Sequence, residues 1–176
     1  MVKYRYLWLI GTLSLGLLFS GLALAQTPQV KCGPDHAILY KKAVKLVDNA
    51  EKKLAAKYTA EAKAQLKEAN SLFSVLVKEC GPTQKERALT EAETQQEIDN
   101  NKKKDEYYQK GMTLEKSAAE NLKKGEAAEA KGQGELSARY FRQAKTENEQ
   151  AQVMFIQSEL YALRTQQMIF RFLGNQ

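Results

Sequence analysis

Few residues in this chain carry chemistry beyond charge. There are two cysteines, Cys32 and Cys80, and one histidine, His36. Each cysteine is followed by Gly-Pro. Redox catalysis usually needs a close Cys-x-x-Cys pair, which is absent. A metal centre needs more ligands than this sequence sets beside its cysteines, and His36 is the only histidine. The expected chemistry is therefore one structural disulfide, Cys32–Cys80, with no catalytic, cofactor or metal residue. His36 falls at a helix start and reads as a solvated residue.

The next candidates are lysines. Lys41, Lys45 and Lys52 recur at helical spacing, away from the apolar positions around them, and form a basic face. The plain reading is a solvated face; the sharper one is a set of contacts to anionic lipid, polymer or an acidic partner. Nucleic acid is not expected, because that face has neither arginine clusters nor interleaved aromatics. Carboxylates are scattered opposite lysines, as solvated i,i+4 pairs are. No serine or cysteine has a base beside it, and no Gly-rich phosphate loop is present. Tyr107 and Tyr108 are adjacent, so one must point outward from a helix.

What positions the cysteines is a helical hairpin over 32–80. Leu39, Ala43, Leu46, Ala50 and Leu54 make one seam. Ala62, Leu66, Ala69, Phe73, Leu76 and Cys80 make a second, after a turn near Tyr58. Folding the chain there pairs Leu39 with Leu76, Ala43 with Phe73, Leu46 with Ala69, Ala50 with Leu66 and Leu54 with Ala62. The numbers in each pair total 115 or 116, as an antiparallel register requires. Large residues face small ones in several layers. A disulfide would close the open end, stabilising by about 4 kcal/mol in the chain-entropy treatment.

Ahead of the hairpin, Lys3 and Arg5 precede an apolar run, Leu7 to Leu24, and Ala23-Leu24-Ala25 reads as a cleavage site. Residues 1–25 are expected to be a cleaved signal peptide, with an uncleaved anchor as the rival. Export to an oxidising compartment, periplasmic or secreted, agrees with the disulfide. The remaining 26–176 is long enough for a single domain with its own core. Its charge is uneven: residues 26–82 hold ten Lys and six acidic residues, whereas 83–176 hold fifteen of each sign.

Gly81-Pro82 is expected to end the first hairpin, and Thr83-Gln84-Lys85-Glu86 fits a capping box opening a third helix. The rest has no proline and is rich in Ala, Glu, Lys, Gln and Leu. A third helix is expected from about 84 to 131, a turn at Gly132-Gln133-Gly134, and a fourth helix from about 135 to 173. The third would be about 70 Å long and the fourth about 60 Å. Its weak points are 99–104 and Gly111. Folding this pair about Gln133 sets Leu122 against Ala144, Met112 against Met154 or Phe155, and Ile98 against Met168. From Val153 onward the fourth helix is too widely apolar for one partner, yet Glu159, Arg164 and Arg171 disfavour a membrane span. The hairpin supplies the missing cover through Ile38, Tyr40, Val44, Val47, Leu72, Val75 and Val77. A four-helix region would follow, including the start of helix three, with Leu114–Ala151 projecting as an arm. Apolar surface left over would instead mark self-association.

Two resemblances follow. Gly125-Glu126-Ala127-Ala128 with Ser137-x3-Phe141-x2-Ala144 resembles one degenerate tetratricopeptide-type hairpin at about 118–150. It lacks the usual Trp, Leu and Tyr, and has Glu149 where proline is usual. One repeat makes no groove, so peptide binding is not implied. The alanine-spaced run Ala60-Glu61-Ala62-Lys63-Ala64-Gln65-Leu66 resembles small alanine-rich helical proteins of the bacterial cell envelope. The expected fold is all-α: an antiparallel long-helix bundle of two helical hairpins, four helices in all, the first hairpin (32–80) closed by a disulfide and the second (83–176) projecting. The expected function is an exported, non-enzymatic scaffold or adaptor acting through protein contacts or self-association. A surface-binding module using Lys41, Lys45 and Lys52 is the alternative, and an enzyme the remote third.

Overall fold

The structure, a computed structural model, describes residues 32–175. The signal segment expected at 1–25 lies outside them. Four helices follow in order: α1 Pro34–Ala55, α2 Thr59–Lys85, α3 Glu91–Ala130 and α4 Gly134–Ile169, with a closing 3-10 turn, Arg171–Asn175. No strand occurs among the described residues. None of their helices is long and apolar enough to cross a membrane.

α1 starts with Pro34 at its first position, where its missing N–H costs nothing. Asp35 in the first turn and Lys52 and Lys53 in the last oppose the helix dipole. The helix stops in a Schellman motif: Lys57 N–H donates to Leu54 O (3.0 Å) and Tyr58 N–H to Lys53 O (2.9 Å). Lys57 takes the left-handed conformation, φ 67°, that glycine usually fills there. The α3–α4 turn uses the same motif with glycine in place: Gly132 (φ 71°) donates to Glu129 O and Gln133 to Ala128 O, both 2.9 Å.

The hairpin packs in the register its seams require. Ala43, Ala50, Ala62, Leu66, Ala69, Phe73, Leu76 and Cys80 are all buried, and Cys32 is bonded to Cys80. Leu39, Leu46 and Leu54 pack on that core at its margin. The extra cover for α4 also comes from the hairpin. Ile156, Leu160 and Leu163 join one core with Tyr40, Val47 and the α2 seam. Tyr40 donates its hydroxyl to Gln167 O at 3.0 Å. Ile38 and Val77 do not take part; they are 66% and 48% exposed. Val77 borders an open cleft between α2 and α4, beside Ala162, Leu163 and Gln166.

Three expectations need correction. Pro82 does not end the hairpin: α2 runs through Gly81-Pro82 to Lys85. Proline disfavours the α conformation in the residue before it partly by crowding that residue's Cβ, and Gly81 has none. The capping box lies at Thr90–Glu93, not Thr83–Glu86. Thr90 N–H donates to Glu93 Oε2 (2.7 Å) and Glu93 N–H to Thr90 Oγ1 (3.3 Å). The long hairpin therefore begins at Glu91 instead of residue 83 or 84, and α3 is continuous through 99–111. Its 40 residues span about 60 Å and the 36 of α4 about 54 Å. Third, the start of α3 does not join the hairpin core, since α4 is the one helix among the described residues that α3 packs against. Its inward residues there, Glu93 and Asn100, offer no apolar surface. The chain after α4 takes that place, with Phe170 at the end of α4 and Leu173 in the closing turn both buried in the core.

The α3–α4 pair keeps the expected register, but α3 is rotated by about one position. Gly111, not Met112, meets Phe155, and Gly125 meets Phe141. Met112, Leu122 and Ile98 are 43%, 40% and 54% exposed. The buried α3 positions Glu93, Asn100, Gly111, Ala118, Asn121, Gly125 and Ala128 face Ser137, Ala144, Ala151, Ser158 and Thr165, which recur every seven residues on α4. Seven-residue spacing is that of two helices sharing a seam, here made from small and polar side chains. Beyond Leu114 this pair stands off the hairpin as the expected arm.

Candidate functional site

The open end of the disulfide hairpin gathers the most reactive groups. α1 begins two residues after Cys32, so its first turn carries His36 back beside the sulfur atoms, and α2 delivers Glu79 and Cys80. The Cys32 and Cys80 Cα atoms are 5.1 Å apart. One ligand atom from each of Cys32, His36 and Cys80 lies within 4.8 Å of the others. His36 is buried, 8% exposed, contrary to its reading as a solvated residue. Gly33 N–H donates to its Nδ1 at 3.1 Å, and its Nε2 lies 2.8 Å from Glu79 Oε2. Because Nδ1 accepts, the neutral ring carries its proton on Nε2 and donates it to Glu79. His36 and Glu79 obey the hairpin's register, their numbers totalling 115, so the seams placed them together all along. Nothing in either residue's own neighbourhood signalled it.

A second cluster fastens the end of the bundle. Glu93 is wholly buried and takes Arg87 Nη2 at 2.6 Å and Arg171 Nε at 2.7 Å. The Thr90 N–H and the Arg87 guanidinium hold its carboxyl down at about 2, from an ordinary 4.5, against the opposing effect of burial. Three segments meet on this one side chain: the α2–α3 link, the start of α3 and the closing turn. Arg164 of α4 similarly reaches α1, with Nη1 2.7 Å from Asp48 Oδ1 and Nη2 2.6 Å from Glu51 Oε2. Both clusters hold elements together, and neither was visible in the spacing of charges along the chain.

Lys41, Lys45 and Lys52 all lie exposed on α1. Asp48 interrupts their row, with its carboxylate committed to Arg164. Tyr108 is the outward member of the tyrosine pair, 48% exposed, while Tyr107 stacks on Tyr161 with centroids 5.6 Å apart. The described concavities lie away from the cysteines. One of about 550 Å³ at the arm's tip is lined by Gln133, Gly134, Glu135, Leu136, Arg139 and Arg142. Another of about 340 Å³ opens between Tyr40, Gln96, Arg164 and Arg171. Neither holds a nucleophile beside a base.

The class defined is an all-α antiparallel bundle of two hairpins, the first closed by a disulfide. No family model, curated protein or solved structure matches the chain.

Proposed function

We propose that this protein is an exported, non-enzymatic scaffold or adaptor of the bacterial cell envelope, acting through protein contacts made by α3. The leader-like residues 1–25, the disulfide and the resemblance to alanine-rich envelope proteins support the location. One observation carries the contact role. Met112 and Leu122 stand on one side of α3, outside the seam with α4, and are 43% and 40% exposed; Tyr108 lies beside them, 48% exposed, with its ring against Phe155 of α4. Large apolar side chains exposed along one side of a long helix are a surface for another protein or a second copy. The test is a photo-crosslinker placed at Met112 or Leu122 in cells, followed by pull-down from the periplasm. A discrete adduct is expected from these positions and none from Lys124, which is exposed on another side of α3. Equal labelling at all three positions, or no adduct, removes the reading. Size-exclusion with light scattering on the purified protein separates self-association from a foreign partner.

The excess of lysine over acid in 26–82 favours a second reading, a module that docks Lys41, Lys45 and Lys52 on an anionic surface. Its mark is binding to anionic vesicles that weakens with salt. Binding unchanged between low and high salt excludes it.

A further inference from the structure

We propose that Cys32, His36 and Cys80 form a zinc site when the disulfide is reduced, so that the open end of the hairpin alternates between a covalent and a metal closure. Two thiolates and an imidazole are a donor set suited to Zn(II). Their ligand atoms already lie within 4.8 Å of one another. With Zn–S of about 2.3 Å and Zn–N of about 2.0 Å, tetrahedral ligands stand about 3.5–3.8 Å apart. The change required is therefore on the order of an ångström. Cys32 can supply it, because it precedes α1 and is only half-buried, whereas Cys80 is fixed in the core.

His36 is oriented for the task. Its Nδ1 lone pair points to the Gly33 amide, beside Cys32, and its Nε2 proton is held by Glu79. A metal would take the Nδ1 lone pair from that amide and leave the Nε2–Glu79 hydrogen bond in place. A carboxylate on the far nitrogen of a ligating histidine fixes the ring and raises its basicity. Solvent, reaching the site past Cys32, completes the tetrahedron.

The chemistry balances with a dithiol reductant. Its two thiols give two electrons and two protons to the Cys32–Cys80 bond, yielding two protein thiols and the reductant's own disulfide. Zn(II) then displaces the two thiol protons and binds the thiolates. Exchange with a small-molecule disulfide reverses the step: the two thiolates re-form the Cys32–Cys80 bond, the oxidant takes two electrons and two protons from solvent to become two thiols, and Zn(II) is released.

The test titrates the purified protein, oxidised and phosphine-reduced, with Co(II) and then Zn(II) in the absence of air. The reduced protein is expected to bind one Co(II) with thiolate charge-transfer and tetrahedral d–d bands, which Zn(II) abolishes stoichiometrically. The oxidised protein is expected to show neither band. His36→Ala should weaken Zn(II) binding about a hundredfold and Glu79→Gln at least tenfold, the range for loss of the group that orients a ligand. Far-UV circular dichroism checks that each reduced variant remains helical, and His36→Gln serves if the alanine variant does not. The reduced wild-type protein is itself decisive: absence of the charge-transfer band, or the same Zn(II) affinity with His36 replaced, overturns the site.

Discussion

The Phe155 ring lies on Gly111, so close that a Cβ there would stand 2.7 Å from its Cε1 atom. Phe141 sits on Gly125 in the same way, at 2.6 Å. These two contacts let α3 and α4 approach with an otherwise thin seam of alanine, serine and asparagine. Glycine lowers helix stability by about 1 kcal/mol relative to alanine, so Gly111→Ala and Gly125→Ala would normally stabilise. Here overpacking, typically 1–3 kcal/mol, opposes the gain. Each variant is expected to be net destabilising by roughly 1 kcal/mol in urea unfolding, and Phe155→Leu should relieve Gly111→Ala in a double-mutant cycle. A stabilised Gly111→Ala protein would show that the ring is not held there.

Lys57 occupies the left-handed position that ends α1, with φ 67°. A side chain in that region costs on the order of 1 kcal/mol, most of which glycine avoids. Lys57→Gly is therefore expected to raise stability by about 0.5–1 kcal/mol in the same urea assay, with helicity unchanged. Lys57→Ala, which keeps the strain and removes the charge, is expected to change little.

Glu93 couples stability to acid. Its carboxyl titrates at about 2 in the folded protein and near the ordinary 4.5 when unfolded. A depressed folded value means its stabilisation is fully present above 4.5 and is lost as pH falls from there towards 2. Melting curves across that window should drop more steeply for the native protein than for Glu93→Gln. Equal slopes would mean that the Thr90 and Arg87 contacts do not form.

Much of the first hairpin was legible because its seams are apolar and keep strict 4-3-4 spacing. The pairing of Ala43 with Phe73 and Ala50 with Leu66 follows from that spacing alone. So does the need for the hairpin to cover Ile156, Leu160 and Leu163, since an amphipathic helix with two apolar faces needs two partners. The α3 seam was less legible because its buried residues are Glu93, Asn100, Asn121, Gly111 and Gly125. No hydrophobicity pattern marks such positions, and Met112 and Leu122 drew the face one residue away. The capping boxes at Thr83 and Thr90 are alike in residue type; the pairing of Arg87 and Arg171 with the buried Glu93 favours the second, and it forms only in the folded chain. The His36–Glu79 contact was implied by the register, yet its environment depended on the disulfide bringing both helix ends together.

The hairpin's central place is tested most directly by thermal melting of the oxidised and reduced protein, followed by circular dichroism in the presence of a chelator. Removing the 32–80 closure should cost about 4 kcal/mol, which for a domain of this size lowers the melting temperature by roughly 10 °C. Helicity at 25 °C should persist, because the seams of both hairpins remain. An unchanged melting temperature on reduction would contradict the account.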